Sequence, residues 1–367
     1  MSDPRTILIV GASGRAAAAS AIRAGWMPFV IDLFADADTM QMGPILRCPL
    51  DEYPHGFIAL AEKAPRGPWM YTGGLENYPD VIAAISRNRK LLGIPPEVLA
   101  EVRDPFRLAE FLPMPTMRKL GEPLDPAKRW LRKPYLGSGG FGISELTLSA
   151  SERGPGGGVY AQAIQVGSPH SAMFLFRTDA IPEFLGVCAQ LVSEPWLGAP
   201  PYRYCGNIGP LPSDTALTVQ LLRIGAALQP LGLRGLIGVD FLLNAKEILV
   251  LEVNPRYTAS VELYERSSGR SLLLEHIRCF ETSPPNPLSE AEKGDRKIHG
   301  KAILYAGRTF AVPADHPWRG PDFADIPPAG SVIPKDQPVV TLFASADTES
   351  ECRERLQDLA RASAPPC

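Results

Sequence analysis

The alternation of apolar and polar positions is most informative between residues 236 and 257. Two apolar runs, 236–243 and 248–253, flank the polar segment Asn244-Ala-Lys-Glu247. Short apolar runs on either side of a polar turn are typical of two strands with little exposed surface. The stretch is therefore predicted to form a β-hairpin whose two strands are largely buried.

Each predicted strand of this hairpin carries an acid, Asp240 in the first and Glu252 in the second. Glu252 and Asn254 lie two positions apart, so their side chains share one face, and pairing around the turn brings Asp240 opposite Glu252. Two carboxylates and an amide oxygen are hard ligands of the kind that Mg²⁺ takes when it also holds phosphates. Without a cation, buried carboxylates would repel each other. The alternative is an edge hairpin with solvated acids.

The beginning of the chain has the pattern of a βαβ unit. Residues 6–10 predict a strand, the alanine-rich residues 16–24 a helix, and residues 29–32 a second strand that ends in Asp32. The glycine turn 11–15 can bind an anion such as a substrate carboxylate through its amides. Its candidate ligands are Gly11, Ser13 and Arg15. Taken alone, the unit also resembles a weak dinucleotide fingerprint, so an NAD(P)-dependent reductase is one alternative.

A second glycine loop follows the predicted strand 69–71 and contains Glu76 and Asn77. Loops beyond the carboxyl ends of parallel strands are where open sheets bind ligands, so both residues are candidate substrate contacts. Alternatively, Glu76 is a capping acid ahead of a helix at 79–87, in which Pro79 suits the first turn.

A third glycine segment comes directly after the predicted strand 130–133. Lys133-Pro is followed by four glycines and a serine within residues 137–142. Backbone amides can approach phosphate oxygens closely where no Cβ intrudes, and Lys133 adds a fixed positive charge for the α- and β-phosphates. The segment is expected to be a mobile lid over phosphates, and a glycine hairpin turn is the alternative.

The rest of the chain is predicted to alternate between strands, helices and Pro-rich connections without an internal repeat. Helices are predicted at 105–111, 214–228 with Ser213 or Asp214 as its cap, from 257 onwards, at 271–280 and at 349–361. Strands are predicted at 159–167, 171–176, 301–305, 331–333 and 339–344, with a loose loop at 152–158 and a linker at 283–297.

Composition narrows the class of protein. With 367 residues, 45% of them apolar, the chain can form two or three domains with real cores. A net charge of −3 without basic blocks predicts no nucleic-acid or membrane partner, and no apolar run approaches the ~20 residues of a membrane span. The start of the chain lacks a secretory signal, and the six scattered cysteines form no Cys-x-x-Cys. We therefore expect a cytoplasmic protein with reduced thiols.

The acid–acid–amide hairpin and the Lys-Pro glycine segment together resemble the ATP-grasp superfamily. The ending Asn254-Pro-Arg256 is most similar to the biotin carboxylase and carbamoyl phosphate synthetase branch. Segments 13–16, 76–77, 206–210 and 254–260 resemble poorly characterised ATP-grasp ligases related to biotin carboxylase. The resemblance implies an α/β fold made of a Rossmann-like domain (1–95), a small subdomain with the glycine loop (96–167), a large subdomain with the metal hairpin (168–285) and a C-terminal closing segment (286–367).

The resemblance also implies roles for individual residues. Asp240, Glu252 and Asn254 would hold one or two Mg²⁺, for which Mn²⁺ can substitute. The ATP site would comprise Lys133, Gly137, Ser138, Gly139, Gly140, Gly142, Gln162, Ile164 and Gln165. The catalytic residues would be Lys133 and Arg256, and the substrate contacts Gly11, Ser13, Arg15, Glu76, Asn77 and Asn207. Two positions depart from the family: Ala163 replaces a common Glu, so Gln162 or Gln165 would meet the ribose, and Pro105 follows Arg103-Asp104, so Arg103 or Arg107 would replace a nucleotide lysine.

The implied activity is an ATP-dependent carboxylate–amine ligation through an acyl phosphate, in which Arg256 stabilises the transferring phosphoryl group. Members of this group are associated with one-carbon carrier coenzymes of the tetrahydromethanopterin or methylofuran type. Small-molecule substrates are expected between the N-terminal loops and the hairpin, and a homodimer is compatible with the resemblance. The alternatives are carboxylation through carboxyphosphate, the reductase, and a silent nucleotide-binding module. Arg256 could instead form a structural ion pair with Glu262 or Glu265.

Overall fold

The computed structural model describes residues 5–147, 158–178, 180–245, 247–281 and 297–363. Within these residues the helices are α1 (Arg15–Arg23), α2 (Ala37–Met40), α3 (Gly56–Lys63), α4 (Pro79–Ser86), α5 (Pro96–Val102), α6 (Pro105–Leu108), α7 (Thr215–Leu228), α8 (Val261–Ser268), α9 (Leu272–Arg278) and α10 (Glu349–Ala362). Short 3₁₀ turns span Leu75–Asn77, Pro195–Leu197 and Gln229–Leu231. The loop predicted at 152–158 and the linker predicted at 283–297 lie almost wholly outside the described residues.

The strands of the described chain fall into four sheets. They are β1 (Arg5–Val10), β2 (Trp26–Asp32), β3 (Ile45–Arg47), β4 (Trp69–Tyr71), β5 (Met117–Lys119), β6 (Trp130–Pro134), β7 (Ser144–Leu146), β8 (Val159–Ala163), β9 (Ser168–Phe176), β10 (Glu183–Val192), β11 (Tyr204–Leu211), β12 (Gly235–Asn244), β13 (Glu247–Asn254), β14 (Ile298–Tyr305), β15 (Phe310–Ala311), β16 (Phe323–Ala324), β17 (Val332–Ile333) and β18 (Pro338–Ala346).

The N-terminal sheet confirms the predicted βαβ unit. Its order is β3-β2-β1-β4, and β1 runs parallel to both β2 and β4. The inward-facing residues of β1 are fully buried because helices cover both faces of a parallel sheet. Since all four strands point the same way, the loops after β1, β2 and β4 meet at one edge. That edge faces the rest of the molecule.

The predicted hairpin forms from β12 and β13 with the expected pairing of Asp240 opposite Glu252. One extra residue on β13 shifts the register between Asp240 and Phe241, which places a bulge next to the acid pair. On its other side β12 pairs with β9, so the hairpin belongs to a larger sheet. Asp240 therefore lies on an interior strand, whereas Glu252 lies on β13, the edge strand of this sheet.

That larger sheet has eight strands in the order β13-β12-β9-β10-β11-β14-β18-β16. The C-terminal strands thus continue the sheet that carries the hairpin, through the pairing of β11 with β14. Leu191, Ile208 and Leu342 belong to a single apolar core beneath this half of the sheet. The glycine segment belongs to a separate four-stranded sheet, β5-β8-β6-β7.

Three predicted element boundaries were wrong. The strand expected at 159–167 ends at Ala163, where the chain leaves the ladder and β9 begins at Ser168. The helix expected from 257 begins at Val261 after a turn at Thr258. The helix expected at 105–111 ends at Leu108 in tighter turns, although Asp104 caps its start. Side-chain caps confirm the helix starts after Asp214, Ser271 and Thr348.

Two class predictions can be compared with the described residues. Cys48, Cys188, Cys205, Cys279 and Cys352 are buried free thiols, as expected, and Cys367 lies outside the described part. None of the described helices combines the length and the apolar character that a membrane span requires.

Candidate active site

Residues of three sheets line a cavity of about 1250 Å³. Its lining comes from the loops after β1, β2 and β4, from the glycine segment and β8, from the β12–β13 hairpin, and from the C-terminal residues between Lys301 and Thr341. The volume exceeds that of most small-molecule pockets, so it has room for more than one ligand.

The acid pair lies on the floor of this cavity. The Asn254 amide donates to Asp240 Oδ2 at 3.0 Å and to Glu252 Oε1 at 3.2 Å. Burial and then the nearby Glu252 charge raise the pKa of Asp240 to about 8. Burial raises the pKa of Glu252, but the charges of Arg103 and Lys133 lower it by a larger amount. The pKa of Glu252 is therefore below its usual value. The pair is thus short of positive charge when no cation is present.

The residues present fit a magnesium ion. Within the described ranges no group of three or more His, Cys, Asp or Glu side chains is placed to hold a metal. The donors here are the carboxylates of Asp240 and Glu252, because Asn254 turns its NH2 group to these acids and its oxygen to Arg256. Mg²⁺ keeps several waters and phosphate oxygens as ligands and needs only one or two protein carboxylates. The raised pKa of Asp240 reflects burial first and then the like-charge repulsion that such an ion would relieve.

Lys133 and Arg103 supply the positive charge next to the acids. Lys133 Nζ donates to Gln162 Oε1 at 3.2 Å, and burial lowers the pKa of its ammonium while Glu252 opposes that shift. Arg103 lies 3.7 Å from Glu252 Oε2 and donates to Gly137 O and Asn77 Oδ1, both at 3.0 Å.

Arg103 and Arg107, the two arginines considered in place of the missing nucleotide lysine, differ in their surroundings. Arg103 lines the cavity, and its buried Nε has no partner in the described part of the chain. Arg107 instead pairs with Glu101 and Glu110 on the outer surface. Of the two candidates, Arg103 faces the cavity and Arg107 faces away from it.

The glycine segment lies across the mouth of the cavity. Gly140 has φ +79°, and a Cβ there would lie 1.8 Å from the carbonyl oxygen of Tyr202. The Tyr204 amide donates to Gly139 O at 3.2 Å, and the Arg203 guanidinium stacks 3.0 Å from the Phe141 ring centre. The segment is therefore docked on the β10–β11 loop in a closed position. Gly137, Ser138, Gly139 and Gly140 line the cavity, whereas Gly142 does not.

The connection after β8 borders the same half of the cavity. Gln162, Ile164 and Gln165 all line it. The buried Nε2 of Gln162 has no hydrogen-bond partner among the described residues, which leaves a donor for a ligand. The Ile164 amide is already used, because it donates to Arg129 O at 2.9 Å. A ligand could therefore use the Ile164 carbonyl but not its amide.

Arg256 joins the hairpin to the N-terminal domain. Its Nε donates to Glu76 Oε1 at 2.7 Å and its NH2 group donates to Asn254 Oδ1 at 3.1 Å. Both structural partners considered from the sequence were wrong, because Glu262 pairs with Arg15 and Lys301, and Glu265 pairs with Arg23. Those acids are turned to the far side of α8, while Glu76 reaches Arg256 from a distant loop.

The other predicted substrate contacts separate into two groups. Ser13 and Asn207 line the cavity, but Gly11, Arg15, Glu76 and Asn77 lie behind its wall. Arg15 is 3% exposed and bonds Glu262 and Asp325, so its charge is used inside the protein. Likewise the Asp32 carboxylate accepts the amide of Gly14 at 3.0 Å and those of Phe34 and Ala35. The Asp32 carboxylate therefore stabilises the turn through these hydrogen bonds and is not available to a ribose.

Several lining residues were missed from the sequence. Tyr204 bonds the side chain of Asn207, and Lys301, Asp325 and Thr341 enter the cavity from the C-terminal strands. No local motif marks them, since they come to the site through strand pairings between distant parts of the chain.

Comparison with known sequences identifies the central part of the chain. Residues 106–260 match the family of the ATP-grasp domain. An uncharacterized protein of Methanocaldococcus jannaschii is 25% identical over 256 residues, which are 67% of this chain and 58% of that protein. The chain thus spans little more than half the length of this curated relative.

Solved structures extend the similarity to the whole chain. A nucleotide complex of biotin carboxylase from Campylobacter jejuni has a TM-score of 0.72 at 14% identity, covering 98% of this chain and 91% of that one. The L-amino acid ligase of Bacillus licheniformis has a TM-score of 0.71 at 14% identity, with 98% and 97% covered. The biotin carboxylase domain dimer of Hydrogenobacter thermophilus 2-oxoglutarate carboxylase, solved with MgADP and bicarbonate, has 0.68 at 14%, with 97% and 89% covered. The predicted fold is thereby confirmed, and residues 106–260 match the family of the ATP-grasp domain.

Proposed function

We propose that the protein is an ATP-dependent carboxylate–amine ligase that forms an amide through an acyl phosphate. The observation that carries the proposal is the convergence of Asp240, Glu252, Lys133 and Arg103 with a closed glycine segment on one cavity. Two acids, two cations and a backbone cradle suit phosphoryl transfer, which needs positioning and electrostatics more than a protein nucleophile.

ATP is placed in the half of the cavity beneath the glycine segment. Lys133, Arg103 and the amides of residues 137–140 face its phosphates, and Gln162 offers the free donor described above. Asp240 and Glu252 would hold Mg²⁺ against the phosphate oxygens, and Asn254 would join them only with its side-chain amide turned over. Bound there, the metal would neutralise phosphate charge and polarise the phosphorus centre.

The reaction consists of two steps. A carboxylate oxygen of the substrate bonds to the γ-phosphorus as the bond to the β,γ-bridging oxygen breaks, which gives an acyl phosphate and ADP. The nitrogen of a neutral amine then attacks the acyl carbon, inorganic phosphate leaves with the bonding electron pair, and the nitrogen loses one proton to water. Arg256 lies at the boundary between the acids and the N-terminal loops, where it can meet the carboxylate or the transferring phosphoryl group.

Coenzyme intermediates are the first substrates to test. The resemblance of several segments of the chain to ligases associated with one-carbon carriers of the tetrahydromethanopterin or methylofuran type motivates this choice. Assembly as a homodimer is a separate expectation, which light scattering on the purified protein would test.

The deciding experiment measures ADP release with Mg·ATP and a matrix of carboxylates and amines. The ligase proposal expects release only when both substrates are present, together with an amide product detected by mass spectrometry. Release with bicarbonate alone would instead identify carboxylation through carboxyphosphate. No release with any pair, in a protein that binds Mg·ATP, would leave a nucleotide-binding module.

Replacing Glu252 by Gln tests the assignment of the metal ligands. We expect turnover to fall by at least about 10², because one carboxylate is lost, while the melting temperature changes little because a like-charge repulsion is removed as well. Arg129→Gln, which breaks an exposed pair with Glu145, is the control. Undiminished ADP production by the Glu252 variant at limiting Mg²⁺ would sink the assignment.

A further inference from the structure

The cavity extends well beyond the nucleotide half, to the loop that follows β2. Asp36 lines this end of the cavity and is only 5% exposed. Within the described part of the chain its carboxylate makes no hydrogen bond and no ion pair. Burying a carboxylate without a partner is costly, so this side chain is the unexplained feature of the site.

The acids around Asp36 are all satisfied within the protein. Asp38 accepts the amides of Asp325 and Ile326, both at 3.0 Å. The Asp325 carboxylate accepts from Arg15 at 3.0 Å and from the Thr341 hydroxyl. The positive charge of Arg15 acts on Asp36, but its guanidinium is hydrogen-bonded to Glu262 and Asp325.

The local charge balance favours a cation from outside. Burial, together with the charges of Asp325, Asp32 and Asp38, holds the pKa of Asp36 well above its usual range, and Arg15 opposes this only in part. A cationic ligand would pair with the carboxylate and offset the repulsion from the other three acids.

Next to Asp36 the wall of the cavity is apolar and open to solvent. Phe34, Met40 and Leu50 line it and are 39%, 50% and 75% exposed. Exposed apolar side chains that line the same cavity as a buried acid are characteristic of a ligand site.

We propose that this end of the cavity is the subsite for a substrate that carries a cationic amine beside an apolar portion. The ammonium meets Asp36, and the apolar portion lies on Phe34, Met40 and Leu50. The proposal rests on the ligase function, since it describes the substrate that enters beside the nucleotide. It concerns binding alone and assigns Asp36 no proton transfer.

Calorimetric titration of the full-length protein with hexylammonium tests the charge. In the wild type at neutral pH, with Mg²⁺ and a nonhydrolysable ATP analogue, hexylammonium should bind at least about tenfold more tightly than hexan-1-ol, which has the same length but no charge. Asp36→Asn should abolish this preference without weakening nucleotide binding. Asp80→Asn, an exposed acid on α4, should retain it.

Alkylammonium ions of increasing length test the apolar wall. From ethyl to hexyl, affinity for the wild type should rise about threefold per methylene. The double change Met40→Ser and Leu50→Ser should flatten this rise and leave the charge preference intact. Both side chains are exposed, so folding should be unaffected; Asp36→Ser serves as a second variant if Asp36→Asn is unstable.

Two results would overturn the subsite: no hexylammonium binding at about 10 mM, or equal binding by the wild type and the Asp36 variants. The ligase function fails by a different measurement, since ADP release does not enter this titration. Asp36-dependent binding in a protein that never releases ADP would retain the subsite and reject the ligase. Amide formation by a protein that does not bind hexylammonium at Asp36 would retain the ligase function and reject the subsite.

Discussion

At the residue scale, Arg256 shows how a buried charge can serve both structure and chemistry. Its guanidinium holds Glu76 and Asn254 at once, so it fixes the amide that touches both hairpin acids. The Glu76 side chain is fully buried, and its second oxygen has no partner within the described residues. Removing one member of such a pair leaves the other charge buried and uncompensated.

The conservative change Arg256→Lys separates the two roles. A lysine cannot make both hydrogen bonds, and its compact charge does not match a phosphoryl group or carboxylate in a bidentate manner. We expect turnover to fall by at least about 10² with Mg·ATP affinity retained, measured by steady-state kinetics and nucleotide titration.

Arg23→Lys is the matched control for this change, because Arg23 also pairs with a buried glutamate but lies away from the cavity. It should lower stability slightly and leave turnover unchanged. Near-normal turnover of Arg256→Lys at saturating substrates would reject a catalytic role for Arg256.

At the scale of elements, the position of the glycine segment depends on its contacts with the β10–β11 loop. The contact between Gly140 and the Tyr202 carbonyl leaves no room for a side chain, whereas Gly121 has the same sign of φ (+95°) and open space around it. Gly140→Ala should therefore prevent closure, raise the KM for ATP and lower turnover. Gly121→Ala should cost only about 1 kcal/mol of stability.

Hydrogen exchange of residues 137–142 provides the physical measurement. In the wild type a nonhydrolysable ATP analogue should increase the protection of these amides, and in Gly140→Ala it should not. Equal exchange with and without nucleotide in the wild type would show that the segment is no lid.

A second device at this scale is His276, which ties α9 to β12. Its Nδ1 accepts the Leu236 amide at 3.0 Å and its Nε2 lies 2.9 Å from Leu92 O. Burial lowers the pKa of His276 from 6.5 to about 4. At a pH between these two pKa values, His276 binds a proton in the unfolded chain but not in the folded protein. The contribution of His276 to stability is therefore complete above pH 6.5 and is lost as the pH falls towards 4.

Because of the lowered pKa of His276, the wild type should lose about 2 kcal/mol of unfolding free energy between pH 7.5 and pH 5, measured by urea denaturation. His276→Gln should be less stable at pH 7.5 but should lack this part of the pH dependence. His55→Gln, at an exposed site, should keep the wild-type slope. An unchanged slope in His276→Gln would contradict the assignment.

At the scale of the whole molecule, the cavity is bounded by three sheets, so nucleotide binding should stabilise them together. Mg·ATP at about 100 times its Kd should add about 2.7 kcal/mol of stability and raise the melting temperature. NADH should cause no shift, because Asp32 is occupied by the backbone amides of its own turn. A shift with NADH alone would revive the reductase.

The sequence by itself determined most of the elements and the hairpin with its pair of acids. Apolar runs with an acid in each strand led directly to the pairing of Asp240 with Glu252, because strand alternation and a short turn are local properties. The helix start after Asp214 followed from capping for the same reason.

Only the tertiary structure decided the partners of the charged residues and the far end of the cavity. Arg15 looked like a ligand residue and is a buried structural cation, while Asp36, which no sequence motif marks, lies unpaired in the cavity. Arg103 replaced Arg107 at the nucleotide half because the chain turns one inward and the other outward. The free energy of a charge depends on burial and on partners hundreds of residues away, which no local pattern encodes.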